Sequence, residues 1–105
     1  MTDHTTRAAV PTANASRYLQ QLCKHWQHNL TVEFDANHGT VTFPRDARGA
    51  SHPGEAMVTF DAAADALDVR IDATSAEQLD GLKDAVARHL DRFAFREAPL
   101  RFDWQ

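Results

Sequence analysis

A change of period near residue 30 constrains this chain more than any other feature. Between Ala15 and Trp26 the groups Ala15, Tyr18, Leu19, Leu22, Cys23 and Trp26 recur at the i, i+3, i+4, i+7 spacing of one buried helical stripe. From Leu30 the period drops to two. Leu30, Val32 and Phe34 alternate with Thr31, Glu33 and Asp35, and Val41 and Phe43 alternate with Thr40 and Thr42. A helix turns about 100° per residue and a strand about 180°, so no single element holds both patterns. The chain must set a helix against a sheet.

The remaining segments extend that frame. Met1 to about Thr6 is polar and unpatterned and reads as a frayed terminus. Ala8-Ala9-Val10 forms a short strand, and Thr12 is the expected N-cap of a helix over residues 13–28, roughly 24 Å long. Ala36-Asn37-His38-Gly39 supplies residues that tolerate positive φ, so the strands on either side form a hairpin. Pro44 to Glu55 is a loop by its prolines and glycines, long enough to be functional. Residues 56–60 and 67–72 make a second hairpin. Thr74/Glu77 and Ser75/Gln78 both fit a capping box opening a second helix, whose stripe is Leu79, Leu82, Val86, Leu90 and Phe93. After Pro99, Leu100 to Gln105 alternates and reads as a final strand.

The predicted order is therefore β-α-β-β-β-β-α-β. It implies an α+β fold: one domain over residues 1–105, a two-layer sandwich with a mainly antiparallel sheet and both helices on one face. The opposite face should present Thr31, Glu33, Asp35, Thr40, Thr42, Asp68, Arg70, Asp72, Arg101 and Asp103. That mixed, acidic face has no aromatic platform for stacking single-stranded bases.

Composition excludes several functions. A chain of 105 residues buries roughly two-thirds of its unfolded surface, enough for a core without staples. Its one cysteine forms no internal disulfide, and no zinc-site spacing is present. No apolar run reaches the roughly 18 residues of a membrane span and no signal-peptide core follows Met1, which implies a cytoplasmic protein off the membrane. With 15 acidic against 11 basic side chains, the net charge of −4 argues against nucleic acid as a partner. Six histidines are the unusual count, and five of them (His4, His25, His28, His38 and His52) fall in the first half.

The densest candidate chemistry lies from Tyr18 to His28. Cys23 and His25 sit on opposite shoulders of the first stripe, about 160° apart, so they do not chelate a metal together. His25 and His28, at i and i+3, share a side and could hold a transition metal between them. Cys23 reads as a small buried hydrophobe rather than a nucleophile, since neither Lys24 nor His25 points toward it. His89 lies about 60–65° from the centre of the second stripe. Tyr18, His25 and His89, with Arg92 nearby, would border one seam if the helices pack side by side. Arg92 and Arg96 form an i, i+4 pair able to clamp a carboxylate or phosphate, although cations at a helix C-terminus also serve the macrodipole. No Ser-His-Asp order, glycine-rich phosphate loop or paired-carboxylate motif stands out, so neither catalytic residues nor a cofactor are expected.

Several segments carry a resemblance: Ala15-Ser16-Arg17-Tyr18-Leu19, Gln21-Leu22-Cys23-Lys24-His25-Trp26, Val32-Glu33-Phe34, Arg88-His89-Leu90-Asp91-Arg92-Phe93-Ala94-Phe95-Arg96-Glu97 and the closing Leu100 to Gln105. They resemble a bacterial family of small proteins known only as a domain of unknown function. Its members occur alone or joined to siderophore-interacting flavoprotein reductases. The resemblance thus implies a link to siderophore iron, with a separate flavin reductase or a small ligand as partner. The fold is similar to the C-terminal domain of phosphohexomutases, a TBP-like α+β layer. On these grounds the expected function is a non-catalytic binding or accessory domain. The alternative is a metal- or haem-responsive protein using His25 with His28 or His89. A homodimer is a candidate assembly.

Overall fold

The computed structural model describes residues 4–46 and 51–105. Its elements are β1 (His4–Pro11), α1 (Ala15–Trp26), β2 (Thr31–Phe34), β3 (His38–Phe43), β4 (Ala56–Ala62), β5 (Ala66–Ala73) and α2 (Ala76–Phe93). The strands form one sheet in the order β1-β5-β4-β3-β2, and every pairing is antiparallel. Both helices lie on one face, α1 over β2, β3 and β4 and α2 over β1 and β5. The α+β order expected from the sequence therefore holds from β1 through α2.

The alternation of strand residues decides which face is which. Val10, Val41, Val58, Phe60, Leu67, Val69 and Ile71 point under the helices and are essentially inaccessible. They meet Leu19, Leu22, Cys23 and Trp26 of α1 and Leu82, Val86 and Leu90 of α2 in one hydrophobic cluster. Register then sets rows across the outer face. One row reads Arg7, Arg70, Thr59, Thr40 and Glu33, and its neighbour Ala9, Asp68, Asp61 and His38. The outer face is mixed in sign and acidic, as the sequence implies.

Gly39 marks the closest approach of helix and sheet. A Cβ at this position would lie 2.9 Å from Cys23 Sγ and 3.2 Å from Phe34 Cβ. Only a residue without a side chain lets α1 settle onto β3 here.

Three expectations need correction. The first strand is eight residues long rather than three, and it takes in His4, Thr5 and Thr6 of the expected frayed end. Thr6 is buried and its hydroxyl donates to the Gln105 carbonyl at 2.8 Å, so a polar residue occupies a core-facing position without an unmet hydrogen bond. The first helix is shorter than residues 13–28. It runs from Ala15 to Trp26, with Asn14 as a cap that makes no side-chain capping bond. Thr12 Oγ1 accepts from Asn14 N–H instead, at 3.1 Å. Finally, Leu100 to Gln105 is an extended arm and not a laddered strand. Leu100 N–H donates to Asp91 of α2 at 2.8 Å, and the one backbone bond to β1 runs from Gln105 N–H to Arg7 O at 2.8 Å. Phe102 and Trp104 stack on each other, with ring centroids 5.6 Å apart, and pack against the core.

The second helix opens as its capping sequence implies. Ser75 Oγ accepts from Gln78 N–H at 3.1 Å, satisfying one of the helix's orphan donors. The buried Gln78 side chain accepts from Thr74 N–H at 2.7 Å and donates to Gly54 O at 3.0 Å. The far end of the Pro44–Glu55 loop is thereby tied to α2. Residues 47–50 of that loop lie outside the described residues.

Candidate functional site

The two helices bring their boundary residues together along one seam. His25 of α1 and His89 of α2 face each other with ring centroids 5.5 Å apart. Trp26 lies 5.1 Å from His89, and Phe93 lies edge-on to His25 at 5.7 Å. The α1 stripe places His25 on the shoulder beside Trp26, and α2 places His89 four residues before Phe93 on the facing shoulder. Aromatic rings and imidazoles therefore pack together along one helix-to-helix contact.

The groups whose charges act on His25 at this end of the seam are all bases. Partial desolvation lowers the His25 pKa from its ordinary value, and His89, Arg92 and His28 lower it further by their charges. An anion settling among these groups would relieve that mutual repulsion. His89 Nδ1 lies 2.6 Å from the Ala85 carbonyl, which can only accept, so Nδ1–H donates there and Nε2 is the ring nitrogen left for another partner.

Of the residues singled out in the sequence, His25, His89 and Arg92 thus gather at one end of the seam, with His28 just past the helix. His28 lies in the turn after Trp26, past the end of α1, and its charge acts on His25. Tyr18 borders the same seam two turns away, where its hydroxyl donates to Glu97. Arg92 and Arg96 do not share a helix: α2 ends at Phe93, and Arg96 lies beyond it with its guanidinium 5.8 Å from the Phe95 ring centre.

Glu97 is a polar hub that the sequence does not reveal. Its carboxylate accepts from Thr12 Oγ1 at 3.0 Å, from Asn14 Nδ2 at 3.1 Å and from Tyr18. These bonds hold the carboxyl below its usual range, and the carboxylate raises the Tyr18 phenol in turn. No local motif could have found the hub, since its partners stand 79 to 85 residues away. Its work is to clamp the chain after α2 onto the start of α1.

Cys23 is not available for chemistry. It is fully buried, and desolvation pushes its thiol up to about 11. Iodoacetamide at neutral pH should leave the folded protein unmodified and label it at the rate of unfolding. Labelling of the native protein at the rate of a free thiol would contradict the burial.

A larger concavity of about 700 Å³ lies on the outer sheet face, lined by residues such as Arg7, Thr59, Asp61, Asp68, Arg70 and Asp72. Its charges are largely spent on one another. Arg70 pairs with Asp72 at 3.1 Å, and His38 pairs with the exposed Asp61 at 2.6 Å, which raises the imidazole pKa. The seam, whose charge-bearing groups are all bases set beside aromatic rings, is the better candidate. Among the described residues no group of three or more His, Cys, Asp or Glu side chains could hold a metal ion. No helix among them is long and apolar enough to cross a membrane.

No curated protein sequence matches the chain. Among solved structures, the NMR structure of PA4090 from Pseudomonas aeruginosa is similar over 100% of this chain and 96% of that one, with a TM-score of 0.74 and 27% identity. The sequence profile of DUF2218, described as an uncharacterized protein conserved in bacteria, matches residues 7–105. That span takes in β1 from Arg7 onward, both helices, the whole seam and the closing arm, and on it the chain belongs to the bacterial family DUF2218.

Proposed function

We propose that this chain is a small non-catalytic binding or accessory domain whose ligand lies in the α1/α2 seam. One observation carries the reading: His25, His28, His89 and Arg92 gather around the rings of Trp26 and Phe93, on a protein whose net charge is −4. A site that sets the fixed charge of Arg92 beside imidazoles and aromatic rings, on an acidic protein, selects an anionic ligand that carries rings of its own. An iron chelate built from catecholate arms has that chemistry. The resemblance to relatives joined to siderophore-interacting flavoproteins supports the same class, with a separate flavin reductase as partner in the cytoplasm.

Calorimetry with ferric tris-catecholate and its gallium analogue tests this. Saturable binding should weaken about tenfold in Arg92→Ala, as expected for loss of one charge-assisted contact. Binding should also weaken in His89→Ala and at salt high enough to screen the site. No heat with either chelate, or an affinity indifferent to both substitutions, removes the reading.

The His89 hydrogen bond to Ala85 favours a second reading, direct coordination of a divalent first-row metal or haem iron by His25 with His89 or His28. A ligating imidazole commonly donates its other N–H to a carbonyl, as His89 does to Ala85. Titration with Zn(II), Cu(II), Fe(II) and haem discriminates the two. Dissociation constants weaker than about 100 μM that do not change in His25→Ala exclude coordination.

A further inference from the structure

At the Tyr18 end of the seam, the first half of α1 meets the chain that follows α2. Between them lies a cleft of about 120 Å³ lined by Arg17, Tyr18, Gln21, Phe93, Phe95 and Arg96. Gln21, which lines it, has a buried Oε1 without a hydrogen-bond partner, the one such side-chain atom among the described residues. Buried polar atoms are almost always paired, so this one marks a place where a partner is missing. Phe95 is 71% exposed, although nearly every other large apolar side chain is covered. Arg96 lies over its ring and Arg17 lines the same cleft. The nearest carboxylate, Glu97, already accepts from Tyr18, Thr12 and Asn14. Those neutral donors leave its charge in place, and against it stand the two guanidinium groups of Arg17 and Arg96, so the net charge at the cleft is positive.

We propose that this cleft binds a single-ring aryl carboxylate bearing a phenolic hydroxyl, a hydroxybenzoate. The ring lies against Phe93 and Phe95, the carboxylate meets Arg96 and Arg17, and the hydroxyl reaches the Gln21 amide. A phenol both donates and accepts, so it satisfies that amide in either orientation. Size sets the class: closed cavities of roughly 150 Å³ admit benzene, and this cleft, slightly smaller and open at its mouth, takes one ring with its carboxylate at the rim. The site adjoins the chelate seam at His25 and His89 and shares Phe93 with it, but its ligand carries no metal and meets Arg96, Arg17 and Gln21 instead.

Nitrogen-15 NMR of the whole chain, titrated with 2-, 3- and 4-hydroxybenzoate, benzoate and phenol, tests the proposal. At least one hydroxybenzoate should give saturable shifts at Gln21, Phe93, Phe95 and Arg96. It should bind at least about fivefold more tightly than benzoate or phenol, because each lacks one of the two polar contacts. Arg96→Ala should weaken it about tenfold. Gln21→Leu, which keeps the apolar packing, should remove the preference over benzoate. Phe95→Ala, at an exposed position that does not endanger folding, should weaken all ring ligands together. No saturable shift at these residues up to about 10 mM overturns the proposal, since water alone then fills the cleft. So does an affinity unchanged in both Arg96→Ala and Gln21→Leu. Either failure leaves the chelate reading standing, because that is measured with a metal complex and with variants of other residues.

Discussion

Trp26→Ala should lower stability by about 3–5 kcal/mol, the range for deleting a large buried aromatic. Trp26 is 7% exposed and joins the sheet to both helices. Its ring meets Phe43 edge-on at 5.1 Å, Phe60 at 6.5 Å and His89 of α2 at 5.1 Å. Removing it opens a cavity where three layers of contact converge, and backbone held by the β3/β4 ladder cannot collapse into the space. Domains of this size have about 5–15 kcal/mol in total, so the variant should sit near its unfolding threshold. Urea denaturation should show a large drop in midpoint with the slope preserved. Exposed His25 next door provides the contrast, since His25→Ala should change stability by no more than about 0.5 kcal/mol. A loss below about 1 kcal/mol in Trp26→Ala would mean the ring is not packed as described.

The second large effect is expected at Gly39, where one added methyl group should cost about 1–3 kcal/mol. In Gly39→Ala the new Cβ would meet Cys23 Sγ at 2.9 Å and Phe34 Cβ at 3.2 Å, contacts that rigid neighbours on a packed helix and strand cannot easily relieve. The sulfur is the nearer obstacle. Cys23→Ala removes it, so the double variant should lose less than the sum of the single losses, by at least about 0.5 kcal/mol. That coupling is specific to a clash between these two side chains. Additive losses in equilibrium denaturation would place the cost of Gly39→Ala in the backbone instead.

How much of this was legible depended on the range over which each signal acts. Both helical stripes and the alternation of the four middle strands are local patterns, and each became the element its period implies. The seam was legible one step further on, because His25 and His89 occupy the shoulders of stripes that must share one face of the sheet. The first strand read short because Thr6 looks polar, and only the distant Gln105 carbonyl makes its burial tolerable. The closing arm alternates like a strand, with Leu100, Phe102 and Trp104 turned inward. It fails to ladder because its entry is tied to Asp91 of α2. His38 read as a turn residue but begins β3, where strand register sets it opposite Asp61. The Glu97 hub and the orphan Gln21 oxygen belong to the packing of α1 against the chain after α2. Neither leaves any mark in the neighbouring sequence.

The most direct test of the seam as the ligand site is a chemical-shift map of the whole chain with the gallium tris-catecholate chelate. The predicted result is saturable shifts centred on His25, Trp26, His89, Arg92 and Phe93, including the ring carbons of both histidines, that fade when Arg92 is replaced. Shifts centred instead on Arg7, Arg70 and Asp68 of the outer sheet face, or no shifts at all, would contradict it.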